Sequence, residues 1–195
     1  MKQTEITVEV FNNLEEINKI LVSQGFKVIE NYHLNDYYFS KYDNISLNQM
    51  GYKEIMANSF LIRQINDGQI RNLLIFKNKT IDDNNIVIEE EKVQLKIESL
   101  ELALKIFKLA NLNCWSELKQ NIFVFKKEDI EFCVSEIENL GIFIEFEENS
   151  KINNLQPYEK IEYMKSILKS LNLKLGNDYS CKKPYLKFKK LELHL

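Results

Sequence analysis

The stretch Glu138–Glu148, E-N-L-G-I-F-I-E-F-E-E, alternates apolar and acidic residues after its glycine. On a β-strand, successive side chains point to opposite faces, so Ile144 and Phe146 share one face while Glu145 and Glu147 share the other. Two neighbouring carboxylates repel each other unless solvent, a cation or hydrogen-bond donors lie between them. This stretch therefore indicates either a strand with a solvated face or a strand that lines a cation site.

Glutamates at even spacing, which share one face of a strand, recur in two other stretches. Glu5 and Glu9 flank Thr7 near the start of the chain, and Glu89 is followed by Glu91 near its middle. Carboxylates that are brought together in a folded chain are the oxygen ligands that divalent cations take in proteins. The recurrence therefore favours a shared cation site over three separate solvated strand faces.

Length, composition and charge narrow the class of protein. The chain has 195 residues, 45% of them hydrophobic, so one domain spanning residues 1–195 has enough apolar material for a core. The formal net charge of -3 leaves no basic excess to neutralise phosphates broadly. This charge argues against a nucleic-acid binder and against a membrane-surface protein. The sequence is equally compatible with a monomer and with a homodimer.

The three cysteines, Cys114, Cys133 and Cys181, are far apart and form no C-x-x-C pair. Their odd number and their spacing favour a reducing compartment and argue against a zinc site. The first residues lead directly into an alternating stretch without an apolar signal segment, and no run approaches the length of a transmembrane helix. We therefore expect a cytoplasmic protein.

Patterns in the first half predict strands around one helix. Apolar residues alternate over residues 5–11, Asn13 and Glu16 form a capping-box pattern, and Gly25 is placed to end the helix. The further predicted strands are Phe26–Tyr32 and Asp36–Tyr42, interpreted as a pair, and Asn58–Ile65 and Arg71–Lys77, joined by a turn at Asn66-Asp67-Gly68.

The pattern restarts near the middle of the chain. Ser99 is a candidate N-cap for a second helix that Asn111 closes. Glu91 precedes Ser99 by the same eight residues that separate Glu5 from Asn13. This repeat predicts two pseudo-symmetric strand–helix–strand halves. The remaining predicted elements are strands Trp115–Phe125, Ile130–Ser135 and Ile142–Glu147, a third helix Tyr158–Leu171, and a weakly alternating tail Tyr185–Leu191.

Together these elements predict an α+β fold with about eight antiparallel strands, whose sheet closes into a β-barrel with helices packed outside. The apolar strand faces then pack outward under the helices, because the other faces carry the acids. We expect the lumen to carry Glu5, Glu9, Glu89, Glu91, Glu145 and Glu147, together with some of Arg63, Lys77 and Lys119. A lumen of mixed charge is a poor core and a suitable site for a polyphosphate and a metal.

Much of this sequence resembles the CYTH domain, the family of class IV adenylyl cyclases and thiamine-triphosphatase-like enzymes. The most specific segment is Val134–Glu147, V-S-E-I-E-N-L-G-I-F-I-E-F-E, which overlaps the alternating stretch quoted first. The other matching positions are E-I-T-V-E-V at 5–10, Asp36–Phe39, Arg63, Leu74–Lys77, Glu89–Glu91 and Lys119. The resemblance covers nearly the whole chain.

The resemblance implies both a fold and a ligand. The family fold is a closed antiparallel barrel, the triphosphate tunnel, in which basic side chains hold a triphosphate and carboxylates hold a divalent metal. The implied triphosphate ligands are Arg63, Lys77 and Lys119, and the implied ligands of Mg²⁺ or Mn²⁺ are Glu5, Glu89, Glu91, Glu145 and Glu147. The implied bound molecule is a nucleoside triphosphate or an inorganic polyphosphate.

The chain departs from the family pattern at several positions. The family's opening motif, E-x-E-x-K, corresponds here to Glu5, Thr7 and Glu9, so one carboxylate is missing and a phosphate-binding lysine has become an acid. The family's R-x-R strand corresponds to Leu61-Ile62-Arg63, which keeps only the second arginine. Its K-x-R pair corresponds to Lys119-Gln120-Asn121, which keeps only the lysine. Two unit charges about 4 Å apart interact by roughly 4 kcal/mol at an effective dielectric of about 20. A lysine-to-glutamate exchange therefore turns an attraction into a similar repulsion, and the motif is degenerate.

Two functions of different classes follow from this pattern. The first is an enzyme of phosphoanhydride chemistry that acts on a triphosphate with divalent metal, as a class IV adenylyl cyclase or a triphosphatase. The second is a binding module for a phosphate ligand or a metal, which kept the barrel and lost turnover. The lost basic residues favour the module, and the retained carboxylates favour the enzyme. No catalytic residue is assigned, and the basic tail Lys182–Tyr185 is interpreted as a solvated loop rather than a flap over the tunnel mouth.

Overall fold

The computed structural model describes residues 2–192, which contain nine strands and six helices. The strands are β1 Lys2–Gln3, β2 Glu5–Val10, β3 Lys27–Ser40, β4 Asn58–Asn66, β5 Ile70–Ile81, β6 Val87–Ile97, β7 Asn113–Lys127, β8 Ile130–Ile137 and β9 Gly141–Glu147. The helices are α1 Leu14–Ser23, α2 Asn44–Gln49, α3 Tyr52–Met56, α4 Leu100–Leu109, α5 Pro157–Ser170 and α6 Lys183–Glu192. None of these helices is both long enough and apolar enough to cross a membrane.

All nine strands belong to one sheet, in the order β1-β6-β5-β4-β3-β7-β8-β9-β2, and every pair is antiparallel. The two ends of this order, β1 and β2, are consecutive in the chain and are separated only by Thr4. Because β1 pairs with β6 and β2 pairs with β9, residues 2–10 join the two sides of the sheet. The sheet is thus a nearly closed barrel, which confirms the predicted α+β barrel.

Each half of the chain follows the predicted strand–helix–strand order. β2, α1 and β3 in the first half correspond to β6, α4 and β7 in the second. Both predicted N-caps are present, since the Asn13 side chain accepts from the Glu16 N–H at 2.9 Å and the Ser99 hydroxyl accepts from the Leu102 N–H at 3.2 Å. Each cap satisfies an N–H group that has no partner within its helix, and thereby fixes where the helix begins.

A large hydrophobic core lies outside the barrel, between strands and helices. It includes Ile6, Val8 and Val10 of β2, Ile144 and Phe146 of β9, Ile17 and Leu21 of α1, and Ile161, Met164 and Leu168 of α5. Apolar residues also fill part of the lumen, among them Leu61, Ile75 and Leu118, which lie on the same strand faces as Asp36 and Arg63. The packing of the outer core confirms that the apolar faces of β2 and β9 turn outward under helices. Because side chains alternate along a strand, it also fixes the acidic faces of β2 and β9 toward the lumen.

One predicted strand pair is a single strand. The sequence predicts separate strands at Phe26–Tyr32 and Asp36–Tyr42, but Lys27–Ser40 is one continuous strand, β3. No glycine or proline interrupts this stretch, and Leu34 at its middle is buried against Ile122. A turn there would remove hydrogen bonds to both β4 and β7, so the continuous strand is favoured.

The C-terminal tail also differs from the prediction. The sequence predicts a weak strand over Tyr185–Leu191, but Lys183–Glu192 is helix α6. The Phe188 ring packs edge-on against Trp115, with ring centroids 5.7 Å apart, and Tyr185 lies three residues earlier on the same helical face. The short helices α2 and α3 are too short to show a periodic pattern, so the sequence did not predict them.

Candidate functional site

The barrel lumen is lined by charged side chains from both halves of the chain. Directly opposed residues of antiparallel strands share a face. The lumen-facing charged residues include Glu5 and Glu9 of β2, Asp36 of β3, Arg63 of β4, Lys77 and Lys79 of β5, Glu90 and Lys92 of β6, and Glu145 and Glu147 of β9. A cavity of about 30 Å³ lies among them and is bordered by Glu5, Lys77, Lys79, Glu90 and Glu145. It has room for about one water molecule.

Two lysines of β5 converge on one buried carboxylate of β6. The Lys77 ammonium is 2.7 Å from Glu90 and the Lys79 ammonium is 3.6 Å from it, while Lys79 also donates to the Ser59 hydroxyl at 2.8 Å. Burial lowers the pKa of Lys79 to about 7, although Glu90 opposes this shift. Burial would also lower the pKa of Lys77, but the carboxylates of Glu5 and Glu90 hold it above its ordinary value. Lys79 therefore gives up its proton more readily than Lys77 does.

Arg63 is held in one orientation by Asp36. Its guanidinium donates two hydrogen bonds to that carboxylate, each 2.7 Å long, and Asp36 is buried. Burial alone would lower the pKa of Arg63, but Asp36 raises it, so the side chain stays charged. A bidentate pair of this kind fixes the plane of the guanidinium as well as its position. The free edge of Arg63 is thus preorganised within the lumen.

The C-terminal tail, which comprises residues 171–192 after helix α5, supplies two further cations to the lumen. The Lys182 ammonium lies 3.3 Å from Glu5, and the Lys183 ammonium lies 2.9 Å from Glu145. Both lysines are buried. The interpretation of the stretch Lys182–Tyr185 as a solvated loop is therefore wrong, because the lumen carboxylates compensate the lysine charges and make their burial possible.

Backbone hydrogen bonds to β2 direct the tail into this position. The Thr7 N–H donates to the Tyr179 carbonyl at 3.0 Å, and the Cys181 N–H donates to the Thr7 carbonyl at 3.1 Å. Further along β2, the Gly176 N–H donates to the Glu9 carbonyl at 2.8 Å. The tail thus occupies the edge of β2 that β9 does not use, and the residues that follow it reach the lumen.

Glu147 lies directly opposite Glu5, on neighbouring strands. Burial raises the pKa of Glu147, and the negative charge of Glu5 raises it further. Burial would raise the pKa of Glu5 as well, but Lys182 and Lys77 hold it well below its ordinary value. Of the two facing carboxylates, Glu5 is therefore charged and paired, whereas Glu147 takes up a proton more readily.

A bulge in β6 reverses the predicted orientation of its acids. A register shift between Thr80 and Ile81 gives β6 one extra residue at this point. Glu90 therefore faces the lumen, while Glu89 and Glu91 lie on the outer face, where Glu89 pairs with a lysine of β1 at 3.2 Å. The expectation that Glu89 and Glu91 line the lumen is wrong, because simple alternation along the sequence does not include the bulge.

Lys119 lies on the outer face of β7. Its ammonium is 3.9 and 3.8 Å from two other surface carboxylates, and its side chain is 56% exposed. The neighbouring Gln120 faces the lumen instead. Of the three implied triphosphate ligands, the structure brings Arg63 and Lys77 into the lumen and leaves Lys119 outside.

The charged residues of the lumen that were not assigned from the sequence include Asp36, Lys79, Glu90, Lys92, Lys182 and Lys183. Lys79 follows Lys77 by two residues, so strand alternation could have identified it. Glu90 could not be identified without knowledge of the bulge. The tail lysines gave no local signal, because Lys182 is separated from its partner Glu5 by 177 residues.

The lumen carboxylates suit a divalent metal in their chemistry but not in their contacts. Carboxylate oxygens are ligands that Mg²⁺ takes, and Glu5, Glu145 and Glu147 share one face. However, Glu5 and Glu145 each already contact a lysine ammonium. Within residues 2–192, no group of three or more His, Cys, Asp or Glu side chains is placed to hold a metal ion. The described residues therefore do not fit a resident divalent cation.

Comparison with known sequences gives one informative relative. No protein-family model matches the chain. A protein of Methanocaldococcus jannaschii named "Putative adenylate cyclase" is 29% identical over 190 residues, which cover 95% of this chain and 99% of that protein. The similarity therefore extends along nearly the full length of both chains.

Solved structures share the barrel. A conserved hypothetical protein of Pyrococcus furiosus matches with a TM-score of 0.70 and 19% identity, over 94% of this chain and 99% of that one. A protein of Hippeastrum, described as a putative adenylyl cyclase with a dominant triphosphatase activity, matches with a TM-score of 0.59 and 12% identity, over 96% and 95% of the two chains. The fold is shared.

Proposed function

We propose that this chain binds a triphosphate-containing ligand, either a nucleoside triphosphate or an inorganic polyphosphate, in the lumen of the barrel. The observation that carries the proposal is a cluster of five cationic side chains inside one barrel, none more than 23% exposed: Arg63, Lys77, Lys79, Lys182 and Lys183. Positive groups held on strands within a low-dielectric cavity are suited to a polyanion. The archaeal relative named as an adenylate cyclase and the structural neighbour described as a triphosphatase support this ligand class.

Ligand binding requires the lumen cations to exchange partners. In the structure they are paired with carboxylates, and the cavity between them measures about 30 Å³, too small for a triphosphate. We expect the ligand to displace the tail and to take Lys182 and Lys183 away from Glu5 and Glu145. Phosphate oxygens then replace carboxylate oxygens, so each lysine keeps an anionic partner.

If the chain is an enzyme, it cleaves a phosphoanhydride bond of the bound triphosphate. In a cyclase, a ribose 3′-hydroxyl attacks the α-phosphorus, whereas in a triphosphatase water attacks a phosphoanhydride. Lysine and arginine contacts to phosphate oxygens stabilise the charge that develops in either reaction. We assign Arg63, Lys77 and Lys79 to this electrostatic role. We assign no role to Mg²⁺ or Mn²⁺, although the resemblance implies one, because Glu5 and Glu145 have lysine partners.

The second candidate is a binding module without turnover. A specific observation favours it, since two lumen positions, Glu9 and Leu61, carry no positive charge where the family motif has a lysine and an arginine. Fewer cations hold the reacting phosphorus less firmly, and a misplacement of about 1 Å can lower the rate on the order of a hundredfold. Under this alternative the chain binds tripolyphosphate but does not cleave it.

Calorimetric titration tests the proposal. Tripolyphosphate and ATP are titrated in EDTA into the parent, into Lys77→Gln and into the matched control Lys119→Gln, after circular dichroism has shown that each is folded. A charge-assisted hydrogen bond contributes about 1.5–3 kcal/mol, so Lys77→Gln should weaken binding about 10- to 100-fold. Lys119→Gln should bind like the parent, because Lys119 lies on the outer face.

Release of cyclic AMP or of phosphate in the same samples distinguishes the enzyme from the module. Absence of tripolyphosphate and ATP binding by the folded parent would refute the proposed function. Equal losses in the two variants would show that any binding occurs on the surface and not in the lumen.

A further inference from the structure

Glu5 and Glu145 occupy neighbouring strands on the lumen side and are the two acids that receive the tail lysines. The contacts are 3.3 Å from Lys182 to Glu5 and 2.9 Å from Lys183 to Glu145. The lysines are only 6% and 7% exposed as whole residues. Two buried positive charges are thus matched to two carboxylates. The strands that carry these carboxylates, β2 and β9, contain no lysine or arginine.

The surroundings of Lys183 match an ammonium group in detail. An ammonium has three N–H donors and no acceptor. Three acceptors surround Lys183: the Glu145 carboxylate at 2.9 Å, the Gln120 amide oxygen at 3.0 Å and the Ser135 hydroxyl at 3.4 Å. Gln120 and Ser135 are themselves buried. The pocket thus provides one acceptor for each donor of Lys183.

Lys182 and Lys183 also belong to a segment that is held by contacts on both sides. Before Lys182, the tail is bound to the backbone of β2 at Thr7 and Glu9, and after Lys183, helix α6 packs Phe188 against the barrel. A tethered group on a short segment has an effective concentration on the order of millimolar or more. A cation that is part of the chain therefore competes strongly with a free metal ion for the same carboxylates.

We propose that Lys182 and Lys183 take the place of a divalent cation in this barrel, so that the lumen is an ammonium site and its charge balance requires no Mg²⁺ or Mn²⁺. The two tail lysines neutralise Glu5 and Glu145, the same carboxylates that the resemblance to CYTH domains assigns to metal. This inference concerns the chain without phosphate ligand and is independent of the proposed function. Its test therefore contains no phosphate compound.

Binding of Mn²⁺, followed by electron paramagnetic resonance, tests the proposal directly. The folded parent should show no saturable site below about 1 mM Mn²⁺, since tethered lysines hold the carboxylates. The double variant Lys182→Gln/Lys183→Gln should gain a site that the additional change Glu145→Gln removes. The matched control is Lys190→Gln, which removes an exposed lysine of the same helix and should behave like the parent.

Thermal unfolding with Mg²⁺ gives an independent result. The double variant should gain about 5–10 °C in Tm at a Mg²⁺ concentration a hundred times its Kd, whereas the parent should gain little. The proposal is overturned if the parent binds Mn²⁺ below millimolar concentration and loses that site on Glu145→Gln. It is also overturned if the folded double variant gains no metal site. If the double variant does not fold, the parent and the folded single variant Lys182→Gln decide the matter by the same Mn²⁺ titration.

Discussion

At the scale of single residues, the position of each lumen charge follows from strand register rather than from residue type. Lys77 and Lys79 share one face of β5 because they are two residues apart, and the register of β5 with β4 makes this the inner face. Lys119 lies on the outer face because its neighbour Gln120 is on the inner face of β7. Alternation therefore predicted the inward faces of β2 and β9 from sequence alone. It placed the acids of β6 on the wrong side because a bulge adds one residue to the count.

Lys79 gives the first prediction, which concerns pH. Burial lowers its folded pKa to about 7, below the ordinary value of 10.5. Between these values the unfolded chain binds more protons at this position than the folded chain, so stability rises with pH from about 7 to about 10. The contribution has a slope of at most about 1.4 kcal/mol per pH unit.

Urea unfolding of the parent and of Lys79→Met at pH 7, 8 and 9 measures this effect. The variant should lack the upward contribution, so its stability relative to the parent should fall as the pH is raised. If both proteins show the same change in the free energy of unfolding between pH 7 and 9, Lys79 has an ordinary pKa.

Gly141 gives a second prediction at this scale. Its φ of +140° lies in a region that other residues rarely adopt, and an added Cβ would lie 3.4 Å from the Glu9 carboxylate. Gly141→Ala should lower the free energy of unfolding by about 1–3 kcal/mol. The matched control is Gly51→Ala, at a glycine with an ordinary φ of −72°, and it should cost less in the same denaturant titration. Equal costs would contradict this account of the turn before β9.

At the scale of elements, the least predictable part of the structure is the tail with helix α6. Helices α1 and α4 could be predicted because their caps and apolar periodicity are local. The stability of helix α6 depends on packing against residues that are distant in sequence, such as Trp115. Its role in the lumen depends on partners on β2 and β9. Local patterns do not record such contacts, so the tail resembled a solvated loop.

Removal of one aromatic ring tests how α6 is held. Phe188 is buried and contacts Trp115, so Phe188→Ala should cost about 3–5 kcal/mol of packing and release the tail. Limited trypsin digestion should then cut at Lys182–Lys190 faster than in the parent, while the barrel stays resistant. The control Leu109→Ala, at an exposed position of α4, should digest like the parent. Unchanged cleavage of the tail in Phe188→Ala would show that other contacts hold it.

At the scale of the whole molecule, the barrel holds both charged residues and a buried apolar cluster on its inner faces, and a large apolar core lies outside it. The arrangement is stabilised because five cations of the lumen each lie within 4 Å of a carboxylate, from Arg63 with Asp36 to Lys183 with Glu145. The sequence predicted the barrel and the acidic inner faces of β2 and β9, since alternation is a strong signal in these two strands. It did not predict the apolar residues that share the lumen, such as Leu61 and Ile75. It could not predict that the tail closes the charge balance. Under the proposed function, these cations exchange their carboxylate partners for the oxygens of a polyphosphate.

The measurement that tests this central claim most directly is nuclear magnetic resonance of the lysine side chains during titration with tripolyphosphate. Each ammonium signal is assigned by a single lysine-to-arginine substitution. The account predicts that the signals of Lys77, Lys79, Lys182 and Lys183 shift together and saturate at one ligand per chain, while the signal of Lys119 on the outer face does not move. Shifts confined to Lys119 and other exposed lysines, with the four lumen signals unchanged, would contradict it.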